Sequence, residues 1–170
     1  MGISGEVRRD RSWRRPGETE AERADRNFAD LLQELRITLT GAQILFAFLL
    51  VVPFNSEFRS TTPLQHGVYI GTLVGSALSA GLLVAPAAMH RVLFGRQLKD
   101  RLVAVAGRLA IAGQTLFALS LAEGVFLVVN YLYDFTAGLV LGLLLLAWYI
   151  GWFFLAPWAI RRRYQDGGTA

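Results

Sequence analysis

The chain has 170 residues, of which 54% are hydrophobic and 18% charged, and its mean hydropathy is +0.40. That balance leaves too little polar chain to enclose a soluble core and places the sequence among membrane proteins. A formal charge of +4 with no cysteine excludes a disulfide framework, a thiolate nucleophile and a sulfur metal site.

Residues 1–17 are rich in Arg, Gly and Ser and show no apolar period. They read as a disordered basic tail, whose Arg8, Arg9, Arg11, Arg14 and Arg15 would be drawn to anionic lipid headgroups by about 1 kcal/mol each. Thr19-Glu20-Ala21-Glu22 has the capping-box pattern, so a helix is expected to start here. Over 18–36 the helix is amphipathic: Phe28, Leu31, Leu32, Leu35 and Leu39 make one apolar stripe, while Glu22, Arg26, Asp30 and Glu34 recur along another face. Two geometries satisfy the stripe. The helix either lies in the interface and bends near Gly41, or runs straight and packs against another helix.

Four apolar runs follow, at about 37–54, 68–89, 102–129 and 136–160, each long enough to cross about 30 Å of hydrocarbon. The first is expected to end at Pro53 and the second at Pro86. Span two carries Gly71 and Gly75, a Gly-xxx-Gly pair suited to close helix approach. Span three is the least apolar, holding Arg108, Gln114 and Glu123, and span four ends in Trp152, Pro157, Trp158 and the triplet Arg161, Arg162, Arg163. No apolar core with a small-residue cleavage site precedes the first span, so a cleaved signal peptide is not expected.

The basic residues cluster before span one, between spans two and three (Arg91, Arg96, Lys99, Arg101) and after span four, while Arg59 alone falls in the opposite links. By the positive-inside rule both termini and the middle loop are expected in the cytoplasm, and residues 161–170 form a cytoplasmic tail. This distribution sets topology and gives no reason to expect a nucleic-acid partner.

A shift of 71 residues places Gln43, Leu45, Phe46 and Ala47 on Gln114, Leu116, Phe117 and Ala118, and Ala85-Pro86 on Ala156-Pro157. The fold expected is therefore all-α: a polytopic four-transmembrane-helix bundle of two hairpins, with an N-terminal amphipathic cytoplasmic helix. The strings RNFADLLQELRITLTGAQILFAFLL and APAAMHRVLF resemble a family of uncharacterised small four-span membrane proteins found mainly in actinobacteria. The resemblance covers roughly Glu18 to Ile160 and implies a bacterial plasma-membrane protein of this topology. Some of the relatives carry a sodium/proton antiporter label, but the family offers no established catalytic residues to transfer.

The intramembrane polar residues are the functional candidates, because such groups are costly in lipid and face protein or water. Arg108 lies about two turns into span three and is expected to pair with Glu34. Gln43 and Gln114 fall at similar depth and are expected to hydrogen-bond across the bundle. Glu123, near the level expected for His66, Asn130 and Tyr131, is the carboxylate a proton-coupled transporter would use. His66 and His90 are assigned to opposite faces and cannot share a metal, and no nucleophile-base pair or phosphate loop is present. The reading is a non-enzymatic scaffold or accessory subunit without cofactor, partnered by lipid and by a second copy or another membrane protein. The alternative is an oligomeric cation or proton transporter using Glu123 and Arg108.

Overall fold

The computed structural model of the chain describes residues 17–93 and 99–166. Most of the expected basic tail, with its lipid-seeking arginines, lies outside the described residues, as do Arg96 in the middle loop and residues 167–170. Among the described residues the architecture is all-α, with four helices long and apolar enough to cross a membrane: Asp25–Phe54, Pro63–Arg91, Leu102–Leu132 and Phe135–Ile160.

Helix α1 runs from Glu20 to Val51 without interruption. Its start is the expected capping box: Thr19 Oγ1 accepts from the Glu22 amide at 3.3 Å, and the Glu22 carboxylate accepts from the Thr19 amide at 2.8 Å. These bonds, the amide first and the Thr19 hydroxyl second, hold the Glu22 carboxyl below the usual carboxylate range. Glu18 braces the same turn through a two-pronged contact with Arg26, at 3.0 Å to Nε and 3.2 Å to Nη2.

Beyond the cap, the buried positions of α1 are Phe28, Leu35, Ala42 and Leu49, a strict seven-residue period. The helix therefore continues through Gly41 without a break, and its stripe packs against other helices, as in the second of the two expected geometries. Its lower half packs on protein: Phe28 with Leu102 and Ala106, joined by Leu31, Leu32, Met89 and Val103. Its next turns meet Leu83 and Ala110, with Leu39 and Phe117 alongside. At the base, the Phe28 ring stacks on His90 with centroids 4.9 Å apart.

Two short 3₁₀ turns, Val52–Phe54 and Ser56–Ser60, carry the chain to helix α2, Pro63–Leu93. A second capping box opens α2, with Thr62 N–H donating to Gln65 Oε1 at 2.8 Å and Gln65 N–H to Thr62 Oγ1 at 3.3 Å. The expected end of span two at Pro86 is corrected, since Pro86 lies buried inside α2 and the helix continues to Leu93. In a packed membrane helix, neighbouring helices offset the lost backbone bond. The added turn supplies Met89 and His90, the surface on which the base of α1 rests.

Helix α3, Lys99–Leu132, is the common wall: α1, α2 and α4 all pack on it, most extensively α2. Helix α4, Phe135–Ile150, opens at an Asp134 cap that accepts from Ala137 N–H at 2.9 Å and packs on α3 but on no other span. A π turn, Gly151–Leu155, then leads into helix α5, Ala156–Asp166. Pro157 lacks an amide and disfavours regular i→i−4 bonding here; the Ala156 amide instead reaches back to Gly151 O. At the end of span four the Arg162 guanidinium lies 3.7 Å from the Trp158 ring centroid, a cation–π contact.

Of the expected pair, Gly75 makes a close approach and Gly71 does not. A Cβ on Gly71 would meet nothing within 4 Å, whereas one on Gly138 would sit 2.9 Å from Phe126 O and 3.0 Å from Asn130 N. One turn on, Gly142 faces Ala122 O at 3.3 Å, so Gly138-xxx-Gly142 is the motif that seats α4 on α3. The echoed residues accordingly meet different surroundings: Gly71 is open and Gly142 packed, Pro86 is buried and Pro157 exposed. Because backbone atoms cannot yield as side-chain ends do, Gly138→Ala is expected to destabilise the fold by about 1–3 kcal/mol in detergent unfolding. Gly71→Ala should stay within about 0.5 kcal/mol of the parent.

Candidate functional site

The buried small polar residues of the spans meet between α2 and α3. Thr72, Ser76 and Ser79 recur at four and three residues, which places them on one face of α2, and all three are fully buried. Ser120 joins them from α3. The two helices run antiparallel, so Thr72 meets Glu123, Gly75 meets Ser120, and Ser79 meets Gly113 at successive levels.

Two bonds cross this seam. Ser79 Oγ donates to the Gly113 carbonyl at 2.8 Å, and Thr72 Oγ1 lies 3.0 Å from Glu123 Oε2. The Thr72 hydroxyl is also 2.9 Å from Val68 O in its own helix, so it stands between a backbone acceptor and the carboxyl group. Close packing makes the bonds possible: a Cβ on Gly75 would fall 2.9 Å from Ser120 Oγ, and one on Gly113 only 2.9 Å from Leu83 Cγ. Every buried side-chain nitrogen or oxygen among the described residues has a partner. Six residues separate Glu123 from Phe117, the middle of the third span, which puts the carboxyl about 9 Å from the midpoint toward the α3–α4 link.

The other expected site residues are not gathered here. His66 sits about six residues nearer the helix end than Thr72, where its Nδ1 lies 3.2 Å from Thr62 O and 3.3 Å from Thr61 Oγ1. The Phe58 ring meets it edge-on with centroids 4.7 Å apart, so His66 belongs to the turn that starts α2. The expected Arg108 to Glu34 pair does not form: both side chains are exposed, and no ion pair joins them. Leu35 and Ala106 hold the packed face, while Glu34 and Arg108 project about 100° and 200° of helical rotation away. Gln43 is likewise exposed and Gln114 half-buried, without the expected hydrogen bond between them. Thr72 and Ser120 went unrecognised in the sequence, although the Thr72, Ser76, Ser79 spacing was a legible signal.

A second feature occupies the end of the bundle where α1 stops. The ends of α1 and α3 part, the 52–61 link roofs the gap, and a cavity of about 700 Å³ opens between them. Its walls are Leu45, Leu49, Leu121, Val125 and Val128 with their neighbours, and its rim carries Asn55, Glu57, Thr61 and Gln65. Tyr69 forms part of the wall and donates from its hydroxyl to Leu49 O at 2.7 Å, tying the end of α1 to α2.

Four long apolar helices with a hydrogen-bonded polar seam define a small helical membrane protein. The chain belongs to DUF6328, a family of unknown function, which it matches over residues 17–157. No curated protein and no solved structure matches it.

If the Thr72 to Glu123 bond holds the hairpin, Thr72→Val and Glu123→Leu should be coupled by about 0.6–1.7 kcal/mol in a double-mutant cycle of unfolding in mixed micelles. Glu123→Gln, which keeps an acceptor, should cost less than Glu123→Leu. Additive single effects would remove the bond from the account.

Proposed function

We propose that this is a non-enzymatic scaffold or accessory subunit of a bacterial plasma membrane, with both termini in the cytoplasm. The observation that carries the reading is the use made of Glu123, a carboxyl committed to joining α2 to α3. A group in that role is part of the protein's internal bracing. The orientation rests on the clustering of basic residues at the two termini and in the middle loop, and the bacterial membrane on the family resemblance.

Two surfaces suit the protein to binding other chains in the membrane. One is the charged face of α1, where Glu22, Asp30 and Glu34 are exposed along a helix whose opposite stripe is already packed. The other is α4, held on α3 alone, which leaves Leu139, Val140, Leu143 and Leu144 uncovered by the rest of the chain. A second copy or a membrane partner protein is the occupant proposed for these faces.

One observation favours an oligomeric cation or proton transporter: Glu123 is half-buried within a span. Proton and sodium flux in liposomes containing the purified chain separates the two readings. The scaffold account expects flux equal to that of empty vesicles, with native protein and Glu123→Gln indistinguishable. Flux that is present in the native protein and vanishes in Glu123→Gln or Arg108→Met would overturn it.

A further inference from the structure

The cavity at the end of α1 is a built feature that the helix-packing account does not use. Its volume of about 700 Å³ falls within the range of ligand pockets, roughly 300–1,000 Å³, and its walls are almost wholly apolar. It opens within the spans, between α1 and α3, where the surrounding solvent is acyl chains. Apart from the hydroxyls of Tyr69 and Tyr131, the polar side chains lie at one edge, the roof formed by the 52–61 link and the first turn of α2. An amphiphile with an apolar tail and one polar end matches that division.

The rim specifies the polar end further. Glu57 is the one formally charged side chain among the residues lining the cavity; it is exposed and forms no ion pair among the described residues. Asn55 Oδ1 accepts from the Glu57 amide at 3.1 Å and Gln65 Oε1 from the Thr62 amide at 2.8 Å. With both carboxamide oxygens committed to capping, each residue presents its NH₂ as a donor. One carboxylate and two amide donors are complementary to an ammonium and a phosphate joined by a short linker.

We infer that the cavity is a binding site for one membrane phospholipid of the phosphatidylethanolamine type. An acyl chain lies between α1 and α3 along Leu49, Leu121, Val125 and Val128, the ammonium meets Glu57, and the phosphate takes the amide donors of Asn55 and Gln65. The inference is independent of whether the protein is a scaffold or a transporter, and of which way it faces.

The test is native mass spectrometry of the purified full chain, released from detergent after incubation with equal amounts of palmitoyl-oleoyl phosphatidylethanolamine and phosphatidylglycerol, whose adducts differ in mass. The expected result is a single-lipid adduct favouring phosphatidylethanolamine by about two- to fivefold, the range an exposed ion pair supplies. Glu57→Gln, an exposed change that leaves the helices intact, should bring the ratio near one. Val125→Trp, which fills the cavity from its wall, should lower both adducts by a similar or larger factor. Equal adducts on the native chain, a ratio unaffected by Glu57→Gln, or adducts unaffected by Val125→Trp would each overturn the assignment. So would a second copy of the chain in place of the lipid.

Discussion

The structure depends on the contact between α2 and α3. Lipid is as apolar as leucine, so the hydrophobic effect that holds soluble helices together has little to act on here. What remains is close packing and the satisfaction of polar groups in a medium without water. The α2–α3 seam supplies both at the same residues: Gly75 and Gly113 let the helices approach, and the small side chains Thr72, Ser76, Ser79 and Ser120 fill the space between them. Ser79 and Thr72 then bond across it. Hydrogen bonds in membranes average well under 2 kcal/mol each, so the seam holds through packing first and polarity second. With α2 fixed, α3 offers its remaining faces to α1 and α4.

Helix α1 uses its face of α3 differently. Its buried residues repeat every seven positions from Phe28 to Leu49, so one stripe serves two media. Toward the N-terminus the stripe rests on the extension of α2 past Pro86 and on the start of α3; farther along it lies within the membrane span. The helix of 32 residues is about 48 Å long, well beyond the hydrocarbon thickness, and its charged face stands clear of the bundle. On the proposed reading, that projecting helix is where a partner would engage, and the wedge between α1 and α3 at the other end is where lipid would.

Much of this was legible in the amino-acid sequence, and the misses share one physical cause. Apolar run lengths located the spans, the Thr19 and Glu22 pattern placed the first helix, and the absence of a breaker at Gly41 allowed it to run on. Sequence position along a span gives depth, which is why Arg108 and Glu34, or Gln43 and Gln114, could be matched in level. It does not give rotation about the helix axis. Glu34 precedes buried Leu35 by one residue and Gln43 follows buried Ala42 by one, each a turn of about 100° away from the packed stripe. The glycines repeat the lesson. Gly71 and Gly138 both sit in Gly-xxx-Gly pairs, and only the side on which a neighbour lies separates the open one from the packed one. Pro86 misled for a further reason, since a proline that would end an exposed helix is tolerated where packing holds the backbone in place.

The central claim is that α3 is the wall that all three other spans meet, and that α4 meets no span but α3. Since the chain has no cysteine, engineered pairs report without background. Cysteine pairs at Thr72 and Glu123, Gly41 and Phe117, and Phe126 and Phe135 should each cross-link within one chain in native membranes, because α2, α1 and α4 meet α3 there. A pair at Leu78 of α2 and Leu143 of α4 should not, as those helices do not touch. Efficient cross-linking of that last pair within a single chain, with the Phe126 and Phe135 pair left unlinked, would contradict the account.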